Sequence, residues 1–238
     1  MSVALAVAGA TVAAAEPGLS GKVYGAVVDE GRKELELRYG RLTGGPGDGQ
    51  SSLLAEASYG INDWWYSAAI AQFESEPGAD LELTGIGWEN LFELTGGRDD
   101  LLRTAVYAEV KVATNSGEPG ELELKGIAEY RPAPWNFRFN LIFEREIGDN
   151  ASDETEFGYA VRAVRFVDDN VSVGVEGFGD FGTFDHVGGA LPNYWGPIIA
   201  GAIPLERGEI ELEAGFLVGF GDNSGDNQIR LSAEWDFF

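Results

Sequence analysis

Polar and apolar residues alternate along most of this chain in runs of about ten, each closed by a turn-forming cluster before the next begins. Near residue 35, Leu35, Leu37 and Tyr39 share one face and Glu34, Glu36 and Arg38 the other, because successive side chains of a strand point oppositely. The same opposition sets Val106, Ala108, Val110 and Val112 against Arg103, Glu109 and Lys111. It sets Leu122, Leu124, Ala128 and Tyr130 against Glu121, Glu123, Lys125 and Glu129. Phe137, Phe139, Leu141 and Phe143 oppose Arg138, Asn140 and Glu144, and Phe157, Tyr159 and Val161 oppose Glu156 and Arg162. Val171, Val173 and Val175 oppose Ser172 and Glu176, Ile210, Leu212, Ala214 and Phe216 oppose Glu209, Glu211 and Glu213, and Ile229, Leu231, Ala233 and Trp235 oppose Arg230, Ser232 and Glu234.

Less regular segments fill the gaps. Leu53 to Tyr59 alternates modestly, Trp64 to Glu74 and Leu191 to Leu205 are apolar on both faces, and Leu81 to Leu94 changes phase near Gly85 to Gly87, where a β-bulge fits. The sum is twelve strands. Connections at one end are tight: Gly60 to Asp63, Thr95 to Asp100, Arg131 to Pro134, Val167 to Asn170, and Glu206 with Arg207. Those at the other end are Thr43 to Gln50, Ser75 to Asp80, Thr114 to Gly120, Ile147 to Asp153, Asp180 to Ala190 and Gly221 to Asp226, rich in Gly, Pro, Asn and Asp. With both termini in the periplasm, the second set is external, and none of these loops is long enough to read as a lid folded inside a pore.

A soluble β-sandwich also alternates, but the face opposite its apolar core is the solvated one, and the apolar faces then pack together. In this chain nearly every clear strand has one charge-free face and one crowded with Glu and Arg, too polar for a packed core. A closed barrel with a wet lumen and a lipid-facing exterior accommodates both, since Arg or Lys on the lipid face costs about 2 to 4 kcal/mol at mid-bilayer. The expected fold is therefore all-β, a transmembrane antiparallel up-and-down β-barrel of about twelve strands. Tyr39, Tyr59, Trp135, Tyr159 and Trp235, near strand ends, suit interfacial girdles.

Composition narrows the picture further. The 238 residues include 34 Gly, 14 Phe, 8 Tyr and 6 Trp but no Cys, which leaves disulfides and thiolate metal sites out. Residues 2 to 15 form an Ala-rich apolar run ending at Ala13, Ala14 and Ala15 before Glu16 and Pro17, the pattern of a signal peptide and its small-residue cleavage site. The expected organisation is a signal peptide or its remnant at 1–15 and one barrel domain at 16–238. With 40 Asp plus Glu against 16 Lys plus Arg, the net charge of −24 repels phosphate backbones and excludes nucleic acid as a partner.

The last residues, Arg230 to Phe238, resemble the C-terminal strand of Gram-negative outer-membrane proteins, which alternates and finishes in Phe at the free carboxylate. That resemblance implies location in the bacterial outer membrane, contact with its lipid, and recognition of Trp235, Phe237 and Phe238 by the barrel-insertion machinery. Phe238 departs from the pattern, being out of phase with Ile229, Leu231, Trp235 and Phe237. The stretch Ala55 to Phe73, with Tyr59 to Asp63 at its turn, is similar to small barrels assigned to phenol-degradation pathways, which implies uptake of small molecules.

Candidate chemistry is sparse. His186, the one histidine, lies beside Asp185 on an expected outer loop without a nearby serine, and no zinc, phosphate-cradling, dinucleotide or calcium-loop motif is present, so no cofactor or metal is expected. Attention passes to the inward face: Glu34, Glu36, Arg38, Glu56, Arg103, Glu121, Glu123, Arg138, Arg162, Glu209, Glu211, Glu213 and Arg230 are the candidate pore-lining residues. Their excess of acid favours a narrow passive pore for small neutral or cationic solutes. Three other readings stay open: a barrel filled by its own side chains acting as an anchor or interaction partner, a channel for hydrophobic compounds, and a lipid-modifying envelope enzyme. Oligomeric state is not legible from these patterns.

Overall fold

A computed structural model describes residues 18–95, 100–188, 191–221 and 224–237. The expected signal peptide at 1–15 and the terminal Phe238 lie outside the described residues. Twelve strands form: β1 (Lys33–Thr43), β2 (Ser51–Asn62), β3 (Trp65–Ser75), β4 (Glu82–Thr95), β5 (Leu102–Ala113), β6 (Gly120–Tyr130), β7 (Trp135–Ile147), β8 (Thr155–Phe166), β9 (Val171–Thr183), β10 (Asn193–Pro204), β11 (Glu209–Phe220) and β12 (Asn227–Phe237). Each pairs antiparallel with its sequence neighbours, and β1 pairs with β12 to close the barrel. Closure satisfies the edge N–H and C=O groups that an open sheet would leave bare in lipid.

Burial is inverted relative to a soluble protein: on β1, Leu37 is 52% exposed while Glu36 beside it is 5% exposed. Outward Val110, Leu124, Phe139, Val175, Ile199, Leu212 and Leu231 continue the apolar surface around the barrel. This is the surface of a membrane-spanning barrel, with charge confined to the lumen.

Local irregularities follow the sequence closely, with two differences. The expected bulge is present in β4, where Gln72 of β3 opposes Gly85 and Phe73 opposes Leu83, leaving Thr84 as the extra residue. β9, however, continues to Thr183, past the expected loop start at Asp180. Asp180 pairs with Gly158, Phe181 is accommodated by a bulge, and Gly182 adopts φ +90°, a conformation open to glycine, so pairing resumes instead of ending. In addition, β3 begins at Trp65, leaving Asp63 and Trp64 as the turn.

The largest departure precedes β1. The pattern assigns no strand to residues 16–32, and none of the outer loops is expected to fold inward as a constriction. Residues 18–32 instead run through the lumen. Gly31 N–H donates to the Gly60 carbonyl (2.8 Å) at the end of the barrel that holds Lys33 and Phe237, here the inner end, while the Ser20 hydroxyl meets Ser52 (2.8 Å) towards the outer end. The expectation of a lumen free of inserted segments was drawn from the interstrand loops alone, and the inserted segment is N-terminal.

Candidate functional site: a plugged acidic lumen

The plug is an extended chain held by side chains where a strand would be held by another backbone. Tyr24 N–H donates to Asn140 Oδ1 (2.8 Å) and Asn140 Nδ2 returns a bond to the Tyr24 carbonyl (3.0 Å). Ala26 N–H donates to Glu129 (2.9 Å) and Val28 N–H to Glu93 (3.0 Å). Alternate N–H groups thus find lumen acceptors, which meets the requirement that buried backbone donors be paired. Hydrogen bonds to charged groups contribute about 1.5–3 kcal/mol each, so this grip is worth several kcal/mol.

Apolar contacts divide the plug between two walls. Val23 packs with Leu42, Ile142, Phe178, Tyr194 and Leu217, whereas Tyr24, Ala26 and Val28 pack with Leu91, Ala105, Tyr107 and Ile127. These inward apolar residues explain why β3 and β10 read as apolar on both faces: Ala68, Ile70, Tyr194, Ile198 and Ala200 point inward and are buried. Two lumen glycines make room for the plug backbone. A Cβ at Gly40 would overlap the Leu19 carbonyl, and one at Gly60 the Asp29 carbonyl.

The plug also carries charge to the wall. Lys22 Nζ lies 2.6 Å from Glu36, 3.7 Å from Glu56 and 3.8 Å from Glu34. Arg32, at the inner mouth, contacts Asp236 (2.5 Å), Glu234 (2.8 Å) and Glu34 (3.5 Å). Burial by itself lowers the Arg32 pKa, but the Asp236 hydrogen bond and the charges of Glu34, Asp236 and Glu234 outweigh it and hold the guanidinium above its usual value. Next to Lys22, tyrosine hydroxyls and carboxylates form a polar knot. Tyr24 Oη donates to Glu89 (3.0 Å), Tyr107 Oη lies 2.6 Å from Glu89 and 2.5 Å from Glu109, and Tyr66 Oη bonds Glu89 (3.1 Å) and Glu56.

Register arranges the wall charges into rows. One row of directly opposed positions runs Glu209, Asp236, Glu34, Ser58, Ala68, Glu89, Glu109, Glu123, Glu144, Glu156 and Thr183, climbing from the inner mouth to the outer. It contains no base. Beside it, Glu211, Glu234, Glu36 and Glu56 form a second acidic run. A third row mixes the two signs: Arg103, Glu129, Arg138, Arg162 and Glu176. Two cavities abut the stretch from Leu19 to Tyr24. The inner one, about 410 Å³, reaches Glu34, Glu209, Glu211, Glu213, Arg138 and Arg162, and the outer one, about 390 Å³, reaches Glu109, Glu121, Glu123, Glu144, Lys111 and Lys125.

The structure therefore places all thirteen sequence-selected lining residues on the inward face, but not in one site. Glu34, Glu36, Arg38, Arg138, Arg162, Glu209, Glu211, Glu213 and Arg230 border the inner cavity, Glu121 and Glu123 the outer, and Arg38 reaches both. Glu56 and Arg103 are buried in ion pairs, Arg38–Glu56 at 3.2 Å and Arg103–Glu93 at 2.8 Å. Trp235 is outward, 44% exposed, with the Phe237 ring tilted against it at a centroid distance of 4.9 Å. Lys22, Tyr24, Tyr66, Glu89, Tyr107 and Glu144 were not selected, although strand parity alone puts Tyr107 inward beside Glu109. His186 is exposed on the loop after β9, and its imidazole makes no hydrogen bond or ion pair among the described residues.

No protein-family model and no curated protein matches this sequence. Solved structures do. An outer-membrane channel from Pseudomonas putida F1 superposes over 88% of this chain and 96% of its own, at TM-score 0.64 and 8% identity. The NanC porin covers 86% and 99% at TM-score 0.57 and 9% identity, and the KdgM porin 86% and 99% at 0.54 and 8%. The shared feature is the fold, a closed barrel of outer-membrane type.

Proposed function

We propose that this barrel is a narrow passive pore of the outer membrane that prefers small cationic solutes over anionic ones and admits small neutral ones. The observation that carries the reading is the base-free row, whose carboxylates Glu209, Asp236 and Glu34 at the inner mouth and Glu89, Glu109, Glu123, Glu144 and Glu156 towards the outer one are separated only by Ser58 and Ala68. Carboxylate walls in a low-dielectric surround raise local cation concentration and oppose anions. The plug obeys the same chemistry, since its Lys22 and Arg32 settle on the acids of the inner half. A KdgM porin structure holds oligogalacturonate, a polyanion, and this acid-rich lumen is suited to the opposite charge.

The plug favours a second reading, a sealed structural barrel, because it fills the middle of the lumen between the cavities. Conductance of the refolded full chain in planar bilayers, with reversal potential under a salt gradient, separates the two. Small cation-selective steps are expected. Anion selectivity, or silence both in the intact chain and in a Gly40→Val variant that crowds the Leu19 carbonyl, overturns the pore.

A further inference from the structure

We propose that the outer cavity binds a linear di- or polyamine, an inference that rests on the cation-preferring pore above and names the class of cation. Glu144 is the first reason. It is only 9% exposed, borders this cavity, and has neither a hydrogen bond nor an ion pair among the described residues. Its neighbours across the strands are Glu123 and Glu156, so no base is opposed to it on either side. Lys111, the base that attracts it across the cavity, is itself paired with Glu121 at 2.9 Å, so a carboxylate buried among carboxylates here is costly unless a further cation joins it.

The arrangement of the surrounding acids selects the kind of cation. Among the described residues, the one trio of carboxylates whose oxygens converge within 4.8 Å is Glu34, Glu36 and Glu234 in the inner cavity, and Lys22 and Arg32 already occupy it. Glu109, Glu123 and Glu144 of the outer cavity instead succeed one another on adjacent strands, roughly 4.8 Å apart from strand to strand. A single divalent ion needs oxygens gathered around one point. Charges spread along a track match a chain of separated ammonium groups.

The protein's own ammonium shows how such a group sits here. Lys125 Nζ is 2.7 Å from Glu123 and lies over the rings of Tyr24 and Tyr107, 4.6 and 4.5 Å from their centroids, a carboxylate and two aromatic faces together. The cavity of about 390 Å³ has room for a flexible aliphatic chain above it.

Titration calorimetry of the folded full-length protein in a zwitterionic detergent, with spermidine, butylamine and magnesium chloride as separate titrants, tests the site. Saturable spermidine binding is expected. Glu144→Gln weakens it by about tenfold or more, the loss of one charge-assisted contact, while His186→Ala, remote from the cavity, leaves it unchanged. Heat-modified gel mobility confirms that both variants are folded. Absence of saturable binding, magnesium binding as tight as spermidine binding, or an affinity indifferent to Glu144→Gln overturns the proposal. Binding is read without transport, so a conducting barrel that ignores spermidine refutes this site alone, and a silent barrel refutes the pore alone.

Discussion

The two charged rows on the β5–β8 wall use similar residues to opposite ends. In the mixed row, Glu129 is 2% exposed and fully engaged, accepting from Ala26 N–H (2.9 Å), Asn136 Nδ2 (2.7 Å) and Arg138 Nε (3.3 Å). In the same row, Arg162 reaches Glu176 at 3.0 Å and Glu213 at 2.5 Å. In the acidic row, Glu109 is met by a tyrosine hydroxyl, Glu123 by one lysine, and Glu144 by no hydrogen bond or ion pair among the described residues. Compensated charge holds the wall to the plug, and uncompensated charge leaves an attraction for whatever enters. Strand composition alone does not distinguish the rows, because every strand in this wall carries members of both.

The comparison is sharpened or broken by a graded set of variants. The greatest effect is expected from lifting the plug. Deleting residues 18–30 removes the segment from both cavities, and unit conductance in planar bilayers rises by about tenfold with cation selectivity retained. Unchanged conductance would mean that the current bypasses the plug. Next is Glu129→Ala, which strands Arg138 and two amide donors in a buried network and lowers stability by about 3–5 kcal/mol, measured by urea unfolding in lipid vesicles with tryptophan fluorescence. Glu144→Gln, by contrast, removes a carboxylate wedged between others and shifts stability by less than about 1 kcal/mol, in the stabilising direction, while moving the reversal potential towards zero. Equal destabilisation by the two variants would erase the distinction between rows. The smallest effect belongs to Arg145→Ala at the outer rim, whose pair with fully exposed Asp153 at 3.6 Å is screened by solvent and salt, so the urea midpoint matches that of the unaltered chain.

The clear strands were legible because a membrane barrel writes its two solvents into every strand. Glu34, Glu36 and Arg38 could be placed inward from Leu35 and Leu37 without knowing any neighbour, since parity is local. The bulge near Gly85 was visible for the same reason, as a break in parity. Glu144 shared the inward face of β7 with Arg138 in the pattern, but nothing in the sequence showed that it opposes Glu123 and Glu156 rather than a base. The plug was hidden more completely. Residues 22–28 alternate no charge, and their partners are Asn140, Glu129 and Glu93, one side chain from each of three distant strands.

What the sequence by itself determined is therefore the fold class, the strand count, the apolar exterior and the acidic excess of the lumen, all consequences of a period-two pattern that each strand carries alone. The tertiary structure decided which charges face one another and that the N-terminal segment lies among them. Register around a closed barrel is a global quantity, accumulated strand by strand, and an extended segment held by side chains has no period of its own to announce it.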